Sequence, residues 1–376
     1  RAPNDAGADS ILTGDGYDVV LGGSESDLID AGTGPSRDIA LGDNGKVLFD
    51  IHGVLTEIRT SAPGIGGDDE ILVRDGSDVA FGGTGSDLIN FTVNAQGDKV
   101  PVGTDTGDDL TVGDNGFALF DTEKEWVYWN DSYLGQSILR QVETSDPDEG
   151  GADFIFAGDG YDVVLGGADN DLIDAGTDAA RDVVLGDHGL AKFHDGQTFF
   201  NNRLALFDAA SLLIEIRTSA PDAGGDDKIL VGDGPDVVFG GPGDDLIDFT
   251  VNAQGDRVST GTDTGDDVIV GDNGLALFDA MTEWPYWNDV YLGQSILREI
   301  ETSDPGDGGA DFIFAGDGYD VILGGDDNDL IETGTDTSRD IVLGDHGLAK
   351  FGDRLAFSDT PNVLLEIRTT SPGVGG

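Results

Sequence analysis

The fold of this chain is decided by the stretch Gly82-Gly83-Thr84-Gly85-Ser86-Asp87-Leu88-Ile89. The stretch has three glycines within four residues, then an aspartate, then an apolar residue two places later. The same pattern returns 158 residues further on, as Gly240-Gly241-Pro242-Gly243-Asp244-Asp245-Leu246-Ile247. Glycine turns that alternate with short apolar runs predict short β-strands joined by tight turns.

Working outward from this stretch, aspartates recur every nine residues in five rows. The rows are Asp9, Asp18, Asp27; Asp69, Asp78, Asp87; Asp153, Asp162, Asp171; Asp227, Asp236, Asp245; and Asp311, Asp320, Asp329. Five copies at one spacing match G-G-x-G-x-D-x-U-x, in which U is a large apolar residue. This is the repeat of a parallel β-roll whose glycine turns and aspartates bind Ca²⁺.

Composition points to bound cations. Asp and Glu number 75 against 19 Lys and Arg, so the net charge is −56, and a folded chain with that charge repels itself. Hydrophobic residues make up 38% and are arranged periodically, which argues against disorder. Nucleic acid and anionic membranes are poor partners for such a surface. Without cysteine there is no disulfide or thiolate metal site. No apolar run is long enough for a membrane span, and no signal peptide opens the chain.

Two larger units alternate along the chain. Unit A covers residues 1–66, 151–224 and 310–376, and unit B covers residues 67–150 and 225–309. The A-B pair repeats every 158 residues, since Gly151 corresponds to Gly309 and Gly67 to Gly225. The chain starts and stops inside equivalent connectors and has no atypical capping units. We therefore expect a segment of a longer array.

The secondary structure is expected to be all β, in short strands such as D-V-V-L and D-L-I-D between glycine turns. No stretch carries a helical stripe. The inserts at Phe91 to Asp108, Thr122 to Gln141 and His194 to Ser211 are expected to be loops or hairpins that leave the roll.

The aspartates are the candidate calcium ligands. Ca²⁺ takes six to eight hard oxygens, and a glycine turn offers main-chain carbonyls that an aspartate can supplement. With two strands per coil, turns eighteen residues apart stack on one edge about 4.8 Å apart. Asp9 should then share an ion with Asp27, and Asp18 with Asp38, whereas Asp30 lies outside the turn and should matter little. The alternative interpretation is that these Asp-Gly turns only connect the strands of a solenoid and bind no metal.

Two further sets of aspartates extend the candidate sites. Late aspartates equivalent to Asp38 complete the rows: Asp38, Asp109, Asp182, Asp267 and Asp340. Weaker candidates end the G-D-[NH]-G turns: Asp43, Asp114, Asp187, Asp272 and Asp345. Asn and His interchange after these last aspartates, which suggests a position that needs left-handed φ.

These rows resemble the RTX, or haemolysin-type, calcium-binding repeat family. The resemblance implies a right-handed parallel β-roll, folding triggered by calcium, and secretion to the cell exterior by a type I system. The chain departs from the family pattern where Glu25, Asp169 and Asp327 replace the glycine found at Gly85. Long inserts also break the rows into runs of three or four, so several calcium sites are expected to have incomplete shells.

The function expected from these observations is a non-enzymatic, calcium-binding structural protein of the cell exterior. It would serve in a surface layer, adhesin stalk, matrix or filament, with copies of itself or other cell-surface components as partners. No H-E-x-x-H, G-x-S-x-G or Walker motif is present. The alternative is the secretion and folding module of an RTX enzyme or toxin whose active domain lies elsewhere. The tryptophan-rich segments at 126–131 and 284–289 fit local packing, a protein interface or glycan stacking.

Overall fold

The computed structural model describes residues 7–102, 105–122, 137–194, 197–200, 203–206, 212–251, 257–259, 263–280, 295–352 and 363–371. Across these residues the regular secondary structure is entirely β. Thirty-six strands form three ten-stranded sheets and three separate hairpins.

Two of the ten-stranded sheets are parallel, and consecutive turns carry the chain from one to the other. The outer sheet contains β1 (Ser10–Leu12), β3 (Leu28–Asp30), β7 (Glu70–Leu72), β9 (Leu88–Ile89), β15 (Phe154–Phe156), β17 (Leu172–Asp174), β23 (Lys228–Leu230), β25 (Leu246–Ile247), β31 (Phe312–Phe314) and β33 (Leu330–Glu332). The middle sheet contains β2 (Val19–Gly23), β4 (Ile39–Asp43), β8 (Val79–Phe81), β12 (Leu110–Val112), β16 (Val163–Gly167), β18 (Val183–Asp187), β24 (Val237–Phe239), β28 (Val268–Val270), β32 (Val321–Gly325) and β34 (Ile341–Asp345).

The register of these sheets follows the aspartate spacing. In the outer sheet β1 pairs with β3, with Ser10 opposite Leu28, eighteen residues away. In the middle sheet β2 pairs with β4, with Val19 opposite Ile39, because the Thr-Gly-Pro-Ser-Arg insert adds two residues. The predicted parallel β-roll with two strands per coil is confirmed.

A third, antiparallel sheet covers the middle sheet. It contains β5 (Gly45–Phe49), β6 (Leu55–Thr60), β13 (Gly116–Thr122), β14 (Ser137–Thr144), β19 (Gly189–Phe193), β22 (Leu213–Thr218), β29 (Gly274–Ala280), β30 (Ser295–Thr302), β35 (Gly347–Phe351) and β36 (Leu364–Thr369). Each unit contributes one hairpin, and neighbouring hairpins pair with one another. The insert predicted at Thr122 to Gln141 lies between β13 and β14, which pair as a hairpin outside the two parallel sheets and belong to this layer.

The middle sheet separates two apolar cores because its side chains alternate between faces. Ile39 and Leu41 pack with Ile58 of the antiparallel sheet, whereas Ala40 packs with Ile29 of the outer sheet. Every outer strand points one isoleucine into this second core, two residues after its aspartate. These residues are Ile11, Ile29, Ile71, Ile89, Ile155, Ile173, Ile229, Ile247, Ile313 and Ile331.

Within the described residues, three hairpins lie outside the large sheets. They are β10 (Phe91–Val93) with β11 (Lys99–Pro101), β20 (Gln197–Phe200) with β21 (Arg203–Leu206), and β26 (Phe249–Val251) with β27 (Arg257–Ser259). The inserts predicted at Phe91 to Asp108 and His194 to Ser211 thus each contain a hairpin. Residues 126–131 and 284–289 lie outside the described residues, so their three interpretations stay open.

Candidate metal centre

Twenty aspartates stand directly before the strands of the two parallel sheets, in two rows. We call edge 1 the row before the outer strands: Asp9, Asp27, Asp69, Asp87, Asp153, Asp171, Asp227, Asp245, Asp311 and Asp329. We call edge 2 the row before the middle strands: Asp18, Asp38, Asp78, Asp109, Asp162, Asp182, Asp236, Asp267, Asp320 and Asp340. The structure brings together all twenty of the candidates predicted from the rows and the late aspartates.

Each row is a ladder of hydrogen bonds. The backbone N–H of each aspartate donates to Oδ1 of the next aspartate in the row. Along edge 1 the N···Oδ1 distances run from 2.6 Å for Asp9 to Asp27 up to 3.1 Å for Asp311 to Asp329. Along edge 2 they run from 2.5 to 3.4 Å. Asp9 therefore lies beside Asp27, and Asp18 beside Asp38, on separate edges.

The second carboxylate oxygen of most of these aspartates has no partner. Among the described residues, buried Oδ2 atoms without a hydrogen bond belong to Asp27, Asp69, Asp87, Asp153, Asp171, Asp227, Asp245, Asp311 and Asp329 on edge 1, and to Asp18, Asp78, Asp162, Asp236 and Asp320 on edge 2. A buried polar atom without a partner is costly, and such atoms in rows indicate a ligand that binds them.

Glycines keep open the space beside Oδ2 on edge 1. A methyl group added to Gly42 would lie 2.0 Å from Asp69 Oδ2 and 2.7 Å from the carbonyl oxygen of Gly82. At Gly113 the corresponding distances are 2.1 Å to Asp153 Oδ2 and 2.5 Å to the Gly166 oxygen. The same clash recurs at Gly22, Gly82, Gly166, Gly186, Gly240, Gly271 and Gly324. Beside each of these glycines, an aspartate Oδ2 and a main-chain carbonyl oxygen of the next coil therefore lie close to the same point.

This donor set fits Ca²⁺. Carboxylate and carbonyl oxygens are the ligands that calcium prefers, and the shell must hold six to eight of them. No three carboxylates or histidines of the described residues form a metal-binding group, so main-chain carbonyls must supply much of each shell. On edge 1, the aspartate Oδ2 atoms and the glycine carbonyls of adjacent coils would hold the ion. An ion bound there would neutralise the carboxylates and link one coil to the next.

The electrostatics of the rows require a counter-charge. Burial, reinforced by the neighbouring Asp43 and Asp27 carboxylates, raises the pKa of Asp69 to about 8. Burial likewise raises the pKa of Asp78 to about 8. For the fully buried Asp87 and Asp153 the pKa lies well above the usual range, because burial is reinforced by other carboxylates in the row. Without a cation, the rows cannot all be ionised at neutral pH.

Four of the five weaker candidates accept backbone hydrogen bonds. Asp43, Asp187 and Asp345 end the middle strands β4, β18 and β34, and Asp114 and Asp272 lie two residues after the ends of β12 and β28. Asp114 Oδ1 accepts the N–H of Gly151 at 3.0 Å, and Asp187 Oδ1 accepts that of Gly225 at 3.0 Å. Asp272 Oδ1 likewise accepts the N–H of Gly309 at 2.8 Å. These carboxylates anchor the connector that returns from the antiparallel sheet to edge 1.

The Asn or His that follows these aspartates does not have left-handed φ, so the predicted reason for its identity is wrong. The asparagine side chains at this position bind the connector instead. Asn115 Nδ2 donates to the carbonyl of Glu149 at 3.0 Å, and Asn273 Nδ2 to that of Asp307 at 2.8 Å. His346 lies with Nδ1 2.9 Å from Thr302 Oγ1 and Nε2 2.8 Å from Asp326 Oδ1.

Left-handed φ occurs instead where the repeat glycine is missing. Glu25, Asp169 and Asp327 have φ of 69°, 62° and 58°, at the position where Gly85 has 124°. The turn therefore keeps a positive φ with a non-glycine residue, which costs about 1–2 kcal/mol per residue. The departures from the family pattern change the backbone energy of the turn without removing the edge 1 aspartate that follows.

Two features of edge 2 were missed by the sequence analysis. Asp30, which was expected to matter little, binds the guanidinium of Arg74 through Oδ1 at 2.6 Å and Oδ2 at 3.1 Å. Asp105 and Asp263 are buried carboxylates beside the row, 3% and 4% exposed respectively. The T-D-T-G-D-D motif in both B units was the available signal, since its first aspartate has no place in the nine-residue rows.

Comparison with known proteins agrees with this geometry. A family model described as RTX calcium-binding nonapeptide repeat (4 copies) matches residues 4–35, 63–91, 149–179, 223–250 and 305–338. No curated protein matches the chain. RTX repeats are typical of secreted proteins. In the described part of the chain, no helix could span a membrane.

Proposed function

We propose that this chain, which carries RTX calcium-binding nonapeptide repeats along its length, is a non-enzymatic structural protein of the cell exterior that calcium folds and stiffens. The observation that carries the proposal is the pair of aspartate ladders, with their buried and unpartnered Oδ2 atoms. A calcium ion held between adjacent coils acts as a cross-link. Two rows of such cross-links on opposite sides of one core favour a stiff, continuous rod.

Calcium supplies folding free energy to such a roll. The carboxylates are brought together only in the folded chain, so binding stabilises that state by mass action. At a free calcium concentration ten times the dissociation constant, each site contributes about 1.4 kcal/mol. Extracellular calcium modules bind with dissociation constants of about 10⁻⁴–10⁻³ M, which suits a protein that folds only outside the cell.

The carboxylates support a structural rather than a catalytic role. Those on the two edges are engaged in the ladders, and the apolar side chains fill two continuous cores. Sequence motifs for the common hydrolytic and nucleotide-dependent activities are absent from the whole chain. The rival hypothesis, a secretion and folding module of an RTX enzyme or toxin, places the activity in another domain.

The outermost strands of the described sheets carry exposed apolar side chains. Val342 in the last middle strand is 41% exposed, whereas its neighbour Ile322 one coil earlier is fully buried. Leu365 in β36 and Leu12 in β1 are 67% and 71% exposed. Open strand edges with apolar side chains are templates for pairing. We propose that these strands pair head to tail with another copy or with further units of the same protein, and that contacts between copies give filaments when they do not close.

The folding role is tested by circular dichroism of the full chain in excess EGTA and after calcium is restored. We expect the strand signal to fall in chelator, to return with Ca²⁺, and to return much less with Mg²⁺, which keeps its own water shell. Asp171→Asn, inside edge 1, should raise the calcium concentration at the folding midpoint. Asp222→Asn, in an exposed connector, should not change it. Strand content that survives thorough chelation would refute the proposal.

Assembly is tested separately by light scattering and electron microscopy in millimolar calcium and in EGTA. We expect elongated particles in calcium, which Leu365→Lys should shorten. The matched control is Val93→Lys, because Val93 is 52% exposed but lies on the β10–β11 hairpin. A strictly monomeric particle in calcium would favour the secretion-module alternative.

A further inference from the structure

A Glu-Ile-Arg motif recurs in the antiparallel sheet and takes no part in the aspartate ladders. It occurs as Glu57-Ile58-Arg59 in β6, as Glu215-Ile216-Arg217 in β22 and as Glu366-Ile367-Arg368 in β36. The isoleucines of β6 and β22 pack into the core between this sheet and the middle sheet. Because side chains alternate along a strand, the acid and the base of each motif lie together on the outer face of the sheet.

The arginines of the motif reach solvent. The side chains of Arg59, Arg217 and Arg368 are 50%, 43% and 57% exposed, and the Nε of each lies 3.1–3.3 Å from the glutamate of its own motif. A guanidinium has five N–H donors, so this contact leaves it able to bind a second carboxylate. Exposed ion pairs add little to the stability of a fold, so the recurrence of the motif calls for another reason.

Lysines of the neighbouring strands contact the same glutamates. Lys46 Nζ lies 2.8 Å from Glu57 Oε1, and Lys192 Nζ lies 3.0 Å from Glu215 Oε2. A carboxylate accepts about four hydrogen bonds, so these contacts leave room for a further donor. The lysines hold the glutamates in place on the outer face.

The register of the sheet extends the motif into two rows that cross its strands. We call row 1 the outward positions in register with the arginines of the motif, and row 2 those in register with its glutamates. The charged members of row 1 are Lys46, Arg59, Arg217, Arg368, Glu143 and Glu301. The charged members of row 2 are Lys192, Lys350, Glu57, Glu215, Glu299 and Glu366.

The strip formed by the two rows has no net charge. Row 1 has four bases and two acids, a net charge of +2, and row 2 has two bases and four acids, a net charge of −2. Acids outnumber bases by 75 to 19 in the chain, so twelve charged positions of average composition would hold two or three bases rather than six. Surfaces of average composition repel one another in a chain of net charge −56, whereas two copies of this strip do not.

The opposite charges of the two rows fit a second copy of the chain. A two-fold axis that runs along the strip, between the rows, places row 1 of each copy over row 2 of the other and keeps the two rolls parallel. Each motif arginine then faces the glutamate of the same motif in the second copy. Phe117 likewise faces Leu119, and Leu275 faces Leu277. One pair of like charge remains, between Glu301 and Glu299.

The strip is large enough for a specific contact. Ten strands about 4.8 Å apart make rows about 43 Å long, and two rows of side chains cover a width of about 13 Å. Each copy therefore offers about 560 Å², and the pair buries roughly 1,100 Å², slightly more than the lower limit of about 1,000 Å² for a biological interface. Further units on a longer array would lengthen the strip in proportion.

We propose that two copies of this roll pack side by side through the outer faces of their antiparallel sheets, with the Glu-Ile-Arg motifs paired across the contact. Head-to-tail pairing of strands lengthens a rod, whereas this contact joins two rods laterally. The lateral contact closes at two, because each roll has one such face. The inference rests on the proposed structural role and adds a second direction of assembly.

The test uses two triple variants of opposite charge. The arginine variant is Glu57→Arg with Glu215→Arg and Glu366→Arg, and the glutamate variant is Arg59→Glu with Arg217→Glu and Arg368→Glu. Either variant alone places like charges against each other at every motif, whereas an equal mixture of the two places arginine against glutamate.

Electron microscopy in millimolar calcium measures the width of the particles, which head-to-tail contacts do not change. We expect twice the width of a single roll for the unchanged chain, a single width for either variant alone, and the double width again in the mixture. The control is Asp148→Arg with Asp222→Arg and Asp307→Arg, in exposed connectors. It changes the net charge as much as the arginine variant does and should keep the double width.

The outcomes separate this inference from the proposed function. An unchanged chain that is folded and of single width in calcium would overturn the inference, as would a mixture no wider than its components. A chain that folds and pairs equally well in EGTA would refute the proposed calcium dependence and support the lateral contact. Should one triple variant fail to fold, the other decides, because it must lose the double width that the control keeps.

Discussion

Replacing Gly186 by alanine tests whether the space beside the edge 1 carboxylates is essential. The added methyl would lie 2.1 Å from Asp227 Oδ2 and 2.7 Å from the Gly240 carbonyl oxygen, far inside normal contact. The φ of Gly186 is not positive, so alanine brings no backbone strain of its own. Gly344 is the matched control, since it sits in the same Leu-Gly-Asp-His-Gly sequence in the last coil, where an added methyl meets nothing within 4 Å.

The expected magnitude follows from what Asp227 must give up. Its Oδ1 accepts the N–H of Asp171 at 2.8 Å, and moving the carboxylate aside leaves that buried N–H unsatisfied, at about 1–3 kcal/mol. Overpacking of the turn adds about 1–3 kcal/mol. Alanine has less conformational freedom than glycine in the unfolded chain, and this reduces the destabilisation by about 0.4–1 kcal/mol. Gly186→Ala should therefore lower the free energy of unfolding by about 3 kcal/mol, whereas Gly344→Ala should raise it by up to about 1 kcal/mol.

The assay is urea unfolding of the full chain in saturating calcium, followed by circular dichroism. The three proteins to compare are the unchanged chain, Gly186→Ala and Gly344→Ala. Calcium content measured on the same samples should fall only for Gly186→Ala, because Asp227 no longer faces its site. Equal midpoints for the two variants would show that the next coil does not press on the glycine, and would refute the geometry of the site.

Two other predictions concern protons and backbone conformation. In excess chelator, the thermal unfolding midpoint should be higher near pH 5 than near pH 8.5. Burial raises the pKa of Asp69, Asp78 and Asp162 from 3.8 to about 8. Between these pKa values the folded chain holds more protons than the unfolded chain, so the folded state loses stability as the pH rises. Calcium should weaken this pH dependence, because it displaces those protons. A thermal midpoint in chelator that rises with pH would contradict the raised pKa of these aspartates. Glu25→Gly should stabilise the chain by about 0.5–1 kcal/mol, because Glu25 has φ of 69° and glycine adopts this conformation without strain. The control is Ser26→Gly, which should destabilise the chain in the same unfolding assay because Ser26 does not have positive φ.

Much of the roll and both ladders follow from the sequence by itself. The nine-residue spacing puts successive aspartates on alternate edges, and a period of eighteen returns them to the same edge. Side chains in a strand alternate between faces, so the isoleucine two residues after each aspartate must point inward. These are local rules, which is why the pairing of Asp9 with Asp27, and of Asp18 with Asp38 across an insert, could be predicted without coordinates.

The antiparallel layer is decided only by the tertiary structure. The apolar strands could be recognised in the sequence, but one partner of most of them lies in another unit. For example, β13 pairs with β14 of its own hairpin and also with β6 of the preceding unit. No local period encodes such pairing. The middle sheet then has apolar neighbours on both faces, which explains why its strands carry nearly continuous apolar runs rather than clean alternation.

The contacts of individual polar residues were also beyond the sequence. Asp30 meets Arg74 across 44 positions, and Asn90 meets the Phe156 carbonyl across 66. The sequence determined which residues repeat, because turn geometry and strand periodicity depend on near neighbours. Only the folded coil decided which buried charge faces a cation and which faces another acid, because that depends on residues brought together by stacking.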